Sequence, residues 1–123
     1  MPNRNVIAVV DDDDGFREAL AGLLKSLGYA AIAFDRADAF LNSDRRRETT
    51  CLISDVHMPG MTGPELHRTL AASGAPIPTI LITAYPDPVG RVRALQDGVV
   101  CYLTKPFREN ELLACIDRAV DAP

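Results

Sequence analysis

Long apolar runs are missing from this sequence. No segment approaches the ~20 residues that cross a bilayer, and the start, MPNRN, lacks the apolar stretch of a signal peptide. The chain is therefore expected to stay in the cytoplasm and off the membrane. A basic excess is missing too: 13 Lys and Arg stand against 17 Asp and Glu, a formal net charge of −4. Binding to duplex nucleic acid needs a basic stripe to neutralise phosphates, so no direct nucleic-acid contact is expected. Arg45-Arg46-Arg47 is the one local exception; Glu48 follows at once, and the run reads as a solvated helix end or loop. Cysteine is scarce. Cys51, Cys101 and Cys115 are an odd number with no CxxC pair, which suggests neither a disulfide framework nor a zinc site. Two of them sit inside apolar runs and are expected as small buried thiols. Low-complexity segments are absent as well, and with 47% hydrophobic and 24% charged residues the chain has the composition of an ordered protein. Its 123 residues fit one domain, taken as 1–123, with a single substantial core.

What is present is a repeat of short apolar runs: VIAVV at 6–10, AAIAF at 30–34, CLI at 51–53, TILIT at 79–83 and VVCYL at 99–103. They are nearly continuous in apolar character, as expected of strands covered on both faces in a parallel sheet. Helical period fills the gaps. In FREALAGLLKSLG, Phe16, Leu20, Leu23, Leu24 and Leu27 share one face and Gly28 supplies a stop. A short helix is expected at Ala37–Asn42, a third from Pro64 to Gly74, and a fourth in PVGRVRALQDG, whose Pro88 and Gly90 suggest a ragged start. The fifth, from Glu109 to Val120, turns Leu112, Leu113, Ile116 and Val120 toward the sheet. Strand and helix thus alternate five times. That pattern predicts an α/β fold with a doubly wound five-stranded parallel sheet, because parallel strands need right-handed helical crossovers. Ligands of such sheets sit beyond the carboxyl ends of the strands.

Polar residues gather at those ends. The first strand runs out at Asp11 and Asp12, the third at Ser54 and Asp55, the fourth at Thr83, and the fifth at Thr104, Lys105 and Pro106. Three carboxylates within a few ångströms repel one another, so a divalent cation is the natural counterweight. An all-oxygen donor set with no His or Cys cluster favours magnesium over zinc. Of the four consecutive aspartates, Asp11 and Asp12 are read as the metal-binding pair. Asp13 and Asp14 are expected to face solvent and begin the first helix, where negative charge suits the dipole.

VVDDD at 9–13, LISDVHMPGMTGPEL around Asp55, LITAY around Thr83 and YLTKPF around Lys105 together resemble the receiver domain of two-component response regulators, in detail receivers of the nitrogen-fixation regulator type. The resemblance covers residues 5–120. It implies a flavodoxin-like (βα)5 sheet of strand order 2-1-3-4-5. It also implies that Asp55 accepts a phosphoryl group from a histidine kinase or phosphotransfer protein. Mg2+ (or Mn2+) would be held by Asp12, Asp55 and the His57 backbone carbonyl, with Asp11 reached through water. Lys105 would pair with the phosphoryl group and the Thr83 hydroxyl would donate to it, beside a small Ala84 that leaves room. A cis peptide before Pro106 would aim the lysine. Such a protein is no enzyme in the ordinary sense, since it catalyses only its own phosphorylation and dephosphorylation. Thr83 and Tyr102 would form the switch to a surface made of the fourth helix, fifth strand and fifth helix, which would meet an output domain or partner, or a second copy. His57 and Tyr85 lie where side chains control water access to the phosphoryl group. Gly60 and Gly63 are read as loop glycines, His67 as an exposed polar residue, and Met58 and Met61 as packing.

Three other readings fit the aspartate run less well. A haloacid dehalogenase-type phosphohydrolase would use Asp11 as nucleophile and Asp13 as acid/base, but Gly15 breaks the continuation of that motif and there is no room for a cap module. An EF-hand calcium loop centred on Gly15 would need carboxylates at Val10 and Ala21. A receiver-like module that binds partners without phosphorylation would not require all the site residues. Kinase, output pathway, oligomeric state, phosphoryl lifetime and any downstream DNA-binding domain are not specified by these residues.

Overall fold

Five apolar runs become five strands in the computed structural model, which describes residues 5–121. They are β1 (Val6–Val10), β2 (Ala30–Phe34), β3 (Cys51–Asp55), β4 (Thr79–Thr83) and β5 (Cys101–Thr104). All neighbours pair in parallel, in the order β2-β1-β3-β4-β5. The sheet order and class are those expected. β5 starts two residues later than the apolar run suggests. Gly98 takes a φ of 100° and Val99 donates its N–H back to Ala94 at 3.0 Å, so Val99 belongs to the helix exit rather than to the strand.

The helices are α1 (Asp14–Ser26), α2 (Ala37–Leu41), α3 (Gly63–Ala72), α4 (Pro88–Gln96) and α5 (Glu109–Val120). Because side chains alternate across each strand, Ile7, Val9, Ile53, Ile80 and Ile82 meet Leu20 and Leu24 of α1 and Leu112 and Ile116 of α5. On the other face Ala8, Val10 and Leu52 meet Phe40 of α2 and Leu66 and Leu70 of α3. A smaller cluster, Val56, Leu81, Ala94 and Val99, seats α4. Both faces of the sheet are therefore covered, which explains why the strands do not alternate in sequence.

Three local expectations change. α4 does not begin raggedly: the Asp87 side chain accepts from Val89 N at 3.2 Å, and this cap offsets the poor propensities of Pro88 and Gly90. The arginine run forms a 3-10 helix, Asp44–Glu48, capped by Ser43 and closed by a 2.6 Å Arg45–Glu48 pair. Finally, Cys101 and Cys115 are joined in a disulfide, where no pairing was expected. Helix α5 lies over β3 and β4, and its Cys115 comes to a Cα separation of 6.0 Å from Cys101 on the neighbouring edge strand β5. Cys51 remains a buried free thiol, as anticipated.

Candidate functional site

Register assembles the site. Val10 pairs with Ser54, and Thr83 with Thr104, so the residues just beyond these strands converge on one edge. Carboxylate oxygens of Asp11, Asp12 and Asp55 all lie within 4.8 Å of one another. Asp11 is fully buried, Asp55 nearly so, and Asp12 is exposed. An open cleft of about 340 Å³ lies above them, lined by Asp12, Asp13, Asp55, His57, Ala84, Tyr85 and Lys105.

Lys105 is the one cation inside the group among the described residues. Its Nζ lies 2.9 Å from Asp11 Oδ2 and 3.7 Å from Asp55 Oδ2. Asp11 also accepts from Asp13 N at 2.9 Å, so its two oxygens are divided between the ammonium and the backbone. Burial is the main force that raises the Asp55 pKa above the usual carboxylate range, and the Asp11 charge adds to it. Lys105, the His57 N–H and Asp12 follow: the first two oppose the rise and the third reinforces it. One ammonium thus leaves this carboxylate with a net burden that a dication would relieve. The three side chains that could hold an ion, Asp11, Asp12 and Asp55, offer oxygen alone, which fits a hard cation such as magnesium.

The supporting loops are specific. Thr62 caps α3, accepting from Glu65 N, while the Glu65 carboxylate accepts from Thr62 N at 2.9 Å. That reciprocal box fixes Gly63 directly against β3: a Cβ at Gly63 would overlap the Asp55 carbonyl oxygen. Gly60 has a φ of 77°, the left-handed region that favours glycine. Met58 is buried and Met61 packs beside it.

Among the other expected residues, Thr83 is buried and its Oγ1 accepts from Tyr85 N at 3.0 Å. Tyr102 is half-buried against the small cluster under α4. The Lys105–Pro106 peptide is cis. His57 and Tyr85 are both exposed, and their rings meet edge to face at 6.1 Å over the cleft. Asp13 caps α1 by accepting from Phe16 N at 3.1 Å and Asp14 opens that helix. His67 is half-buried rather than exposed, and burial lowers its pKa.

Sequence reasoning missed three supports. Phe16 carries the Lys105 ammonium 4.0 Å over its ring, and Phe107 braces Phe16 edge on. Arg17 donates to the Asp11 carbonyl at 2.9 Å and to Asp14 at 2.6 Å, tying α1 to the end of β1. Phe16 was read as part of the core stripe of α1; no short motif marks it or Arg17 as a neighbour of the site.

Comparison with known proteins places this geometry. Residues 7–117 match the response regulator receiver domain family, and the chain belongs to it. The response regulator protein TodT of Pseudomonas putida is 42% identical over 94% of this chain and 51% of its own length. The transcriptional regulatory protein FixJ of Bradyrhizobium diazoefficiens is 38% identical over 98% of the chain and 58% of its own length. The crystal structure of FixJ-N superposes with a TM-score of 0.87 at 32% identity, covering 98% of this chain and 97% of that one. The response regulator StyR gives 0.86 at 42% identity, over 96% and 60%. The chain thus spans little more than half the length of the curated relatives it matches. Its function is that of a receiver domain in two-component phosphorelay signalling, not that of a conventional enzyme family. No helix among the described residues is long and apolar enough to cross a membrane.

Proposed function

We propose that residues 1–123 act as one receiver domain in which Asp55 is the phosphoacceptor, taking its phosphoryl group from a histidine kinase or phosphotransfer protein in the cytoplasm. The observation that carries this reading is the convergence of Asp11, Asp12 and Asp55 with Lys105 in a single open cleft. An Asp55 oxygen attacks phosphorus in line and the bond to the donor's imidazole nitrogen breaks. Lys105 neutralises a phosphoryl oxygen as a point charge, and the Thr83 hydroxyl donates a hydrogen bond to another. Asp12, Asp55 and the His57 carbonyl would hold Mg2+ or Mn2+, with Asp11 acting through water; the ion would offset charge on the transferring oxygens. Ala84, exposed at the cleft wall, leaves space for the group to enter.

The chain itself promotes both gain and loss of the phosphoryl group. Thr83 and Tyr102 then carry the change to the surface of α4, β5 and α5, where an output domain, a partner protein or a second copy docks. Mass spectrometry after treatment with a small phosphodonor and magnesium tests the core claim. Wild type should gain one phosphoryl group, and Asp55→Asn or omission of the metal should abolish the gain. Uptake on a residue other than Asp55 would overturn the assignment. Tyr102→Ala should keep phosphorylation while weakening output; full output would remove Tyr102 from the switch.

A further inference from the structure

The disulfide lies outside the phosphoryl site and has no part in the proposed transfer. A domain of this size with three apolar clusters does not need a covalent staple to fold, unlike the small disulfide-dense scaffolds. Its surroundings are also unlike those of an inert buried thiol. Arg118 Nη2 lies 2.5 Å from Cys101 Sγ and 3.7 Å from Cys115 Sγ, so one guanidinium spans both sulfurs. Arg118 is otherwise exposed, whereas both cysteines are 4% exposed. The guanidinium thus lies between the sulfurs and solvent on its side of the pair. Cys51 supplies the contrast: it is buried in β3, and burial pushes its thiol up to about 12.

From this geometry we propose that Cys101 and Cys115 form a reversible thiol–disulfide pair, oxidised by peroxides, with Arg118 as the positioning cation. The guanidinium places a positive charge beside both sulfurs, where it would face the thiolate, the attacking species, once the pair is reduced. The Cys101 thiolate attacks one peroxide oxygen; the O–O bond breaks, hydroxide leaves and takes up the thiol's proton as water, and Cys101 becomes a sulfenic acid. The Cys115 sulfur then attacks Cys101 Sγ, the S–O bond breaks, and the departing hydroxide takes the second thiol proton as another water. Two thiols and one hydrogen peroxide give one disulfide and two waters. The tie pins α5 to β5 next to Tyr102 and encloses Lys105 in the closed loop, so thiol oxidation reaches the surface that the phosphoryl group is proposed to control.

The experiment follows the folded wild-type chain by intact mass and by denaturing alkylation. Reduced with dithiothreitol, it should expose three alkylatable thiols; hydrogen peroxide should then remove the mass of two hydrogens and leave only Cys51 to alkylate. Amide exchange over Leu112–Ala119 should slow several-fold on oxidation and recover on reduction. Cys115→Ser should stop at the sulfenic acid. Arg118→Ala should slow oxidation several-fold and Arg118→Lys should restore most of the rate, which a purely packing role for Arg118 would not do. Four results overturn the proposal: no loss of two hydrogens under peroxide, a disulfide that resists dithiothreitol in the folded chain, unchanged α5 exchange, or wild-type oxidation in Arg118→Ala.

Discussion

Replacing Asp55 by asparagine should stabilise the metal-free chain at neutral pH, although the residue is central to the proposed function. Asp11 and Asp55 present oxygens no more than 4.8 Å apart, which at an effective dielectric of about 20 corresponds to roughly 3–4 kcal/mol of repulsion. Lys105, 3.7 Å away, returns roughly 4–5 kcal/mol on the same scale, so these two terms nearly cancel. Asp12 adds little, because it is exposed and screened. What is left is the lost hydration of a carboxylate whose side chain is 12% exposed, partly compensated by the His57 N–H. The net gain on substitution is therefore on the order of 1 kcal/mol. The sign agrees with the raised pKa: a folded carboxylate that holds its proton more tightly than the unfolded one costs stability only once ionised. The advantage of Asp55→Asn is full above the folded pKa, shrinks as pH falls through it, and vanishes below the ordinary value of 3.8. Urea unfolding of both chains in chelator across that range measures it; added magnesium should narrow or reverse the gap, because the carboxylate is then a ligand. If Asp55→Asn were less stable than wild type in chelator at neutral pH, the picture of an under-compensated acidic cluster would be wrong.

Lys105→Met should act in the opposite direction. It leaves the fully buried Asp11 without its ammonium, a loss of about 3 kcal/mol in chemical unfolding and of nearly all phosphoryl uptake, and a cost below about 1 kcal/mol would contradict the pairing. Gly63→Ala forces a methyl into the Asp55 carbonyl and should cost about 1–3 kcal/mol while slowing phosphorylation. Gly60→Ala meets no neighbour within 4 Å, so it should show only the left-handed strain of about 1–2 kcal/mol with an unchanged phosphorylation rate; equal kinetic damage from both would refute the close-approach argument. Tyr85→Ala and His57→Ala remove an aromatic wall over the cleft and should shorten the phosphoryl lifetime, read as the decay of labelled protein in excess chelator. Unchanged decay in both would assign those rings no role in excluding water.

The parts of this molecule that could be read from its sequence are those where one residue type meets one local rule. Non-alternating runs such as VIAVV and TILIT declare a sheet covered on both sides, and Asp11, Asp12, Asp55, Thr83 and Lys105 mark strand ends in a topology that directs all such ends to one edge. Non-local contacts stayed hidden. Cys101 and Cys115 are 14 residues apart with no motif between them, and only the docking of α5 on the sheet beside β5 makes them neighbours. Phe16 sits on the α1 stripe, yet the turn of the helix delivers its ring under Lys105, from the opposite end of the chain. The 3-10 helix at Asp44–Glu48 carries no apolar period and is held by Ser43 and one ion pair, features that sequence periodicity does not register. Val99 misled because an apolar residue can end a helix as well as begin a strand; Gly98 decided between them.

The arrangement around Thr83 indicates which element can move. Its hydroxyl accepts from Tyr85 N, and a hydroxyl that accepts retains a proton to donate, so Thr83 can hold a phosphoryl oxygen and the β4–α4 loop together. A shift of Thr83 toward Asp55 would therefore draw Tyr85 with it, and two residues on lies Asp87, the cap of α4. α4 is poorly anchored: Ala94 is its one buried residue, while Val89 and Val92 are 67% and 53% exposed. Tyr102 rests on the same small cluster that seats Ala94. α5, by contrast, commits Leu112, Cys115, Ile116 and Ala119 to the larger cluster and is further tied by its disulfide to β5. An element with little apolar burial opens at lower free energy than one set in the core. On the proposed reading, a displacement passed through Tyr85 or through Tyr102 would meet α4 in either case, and α5 would be the frame against which it is registered.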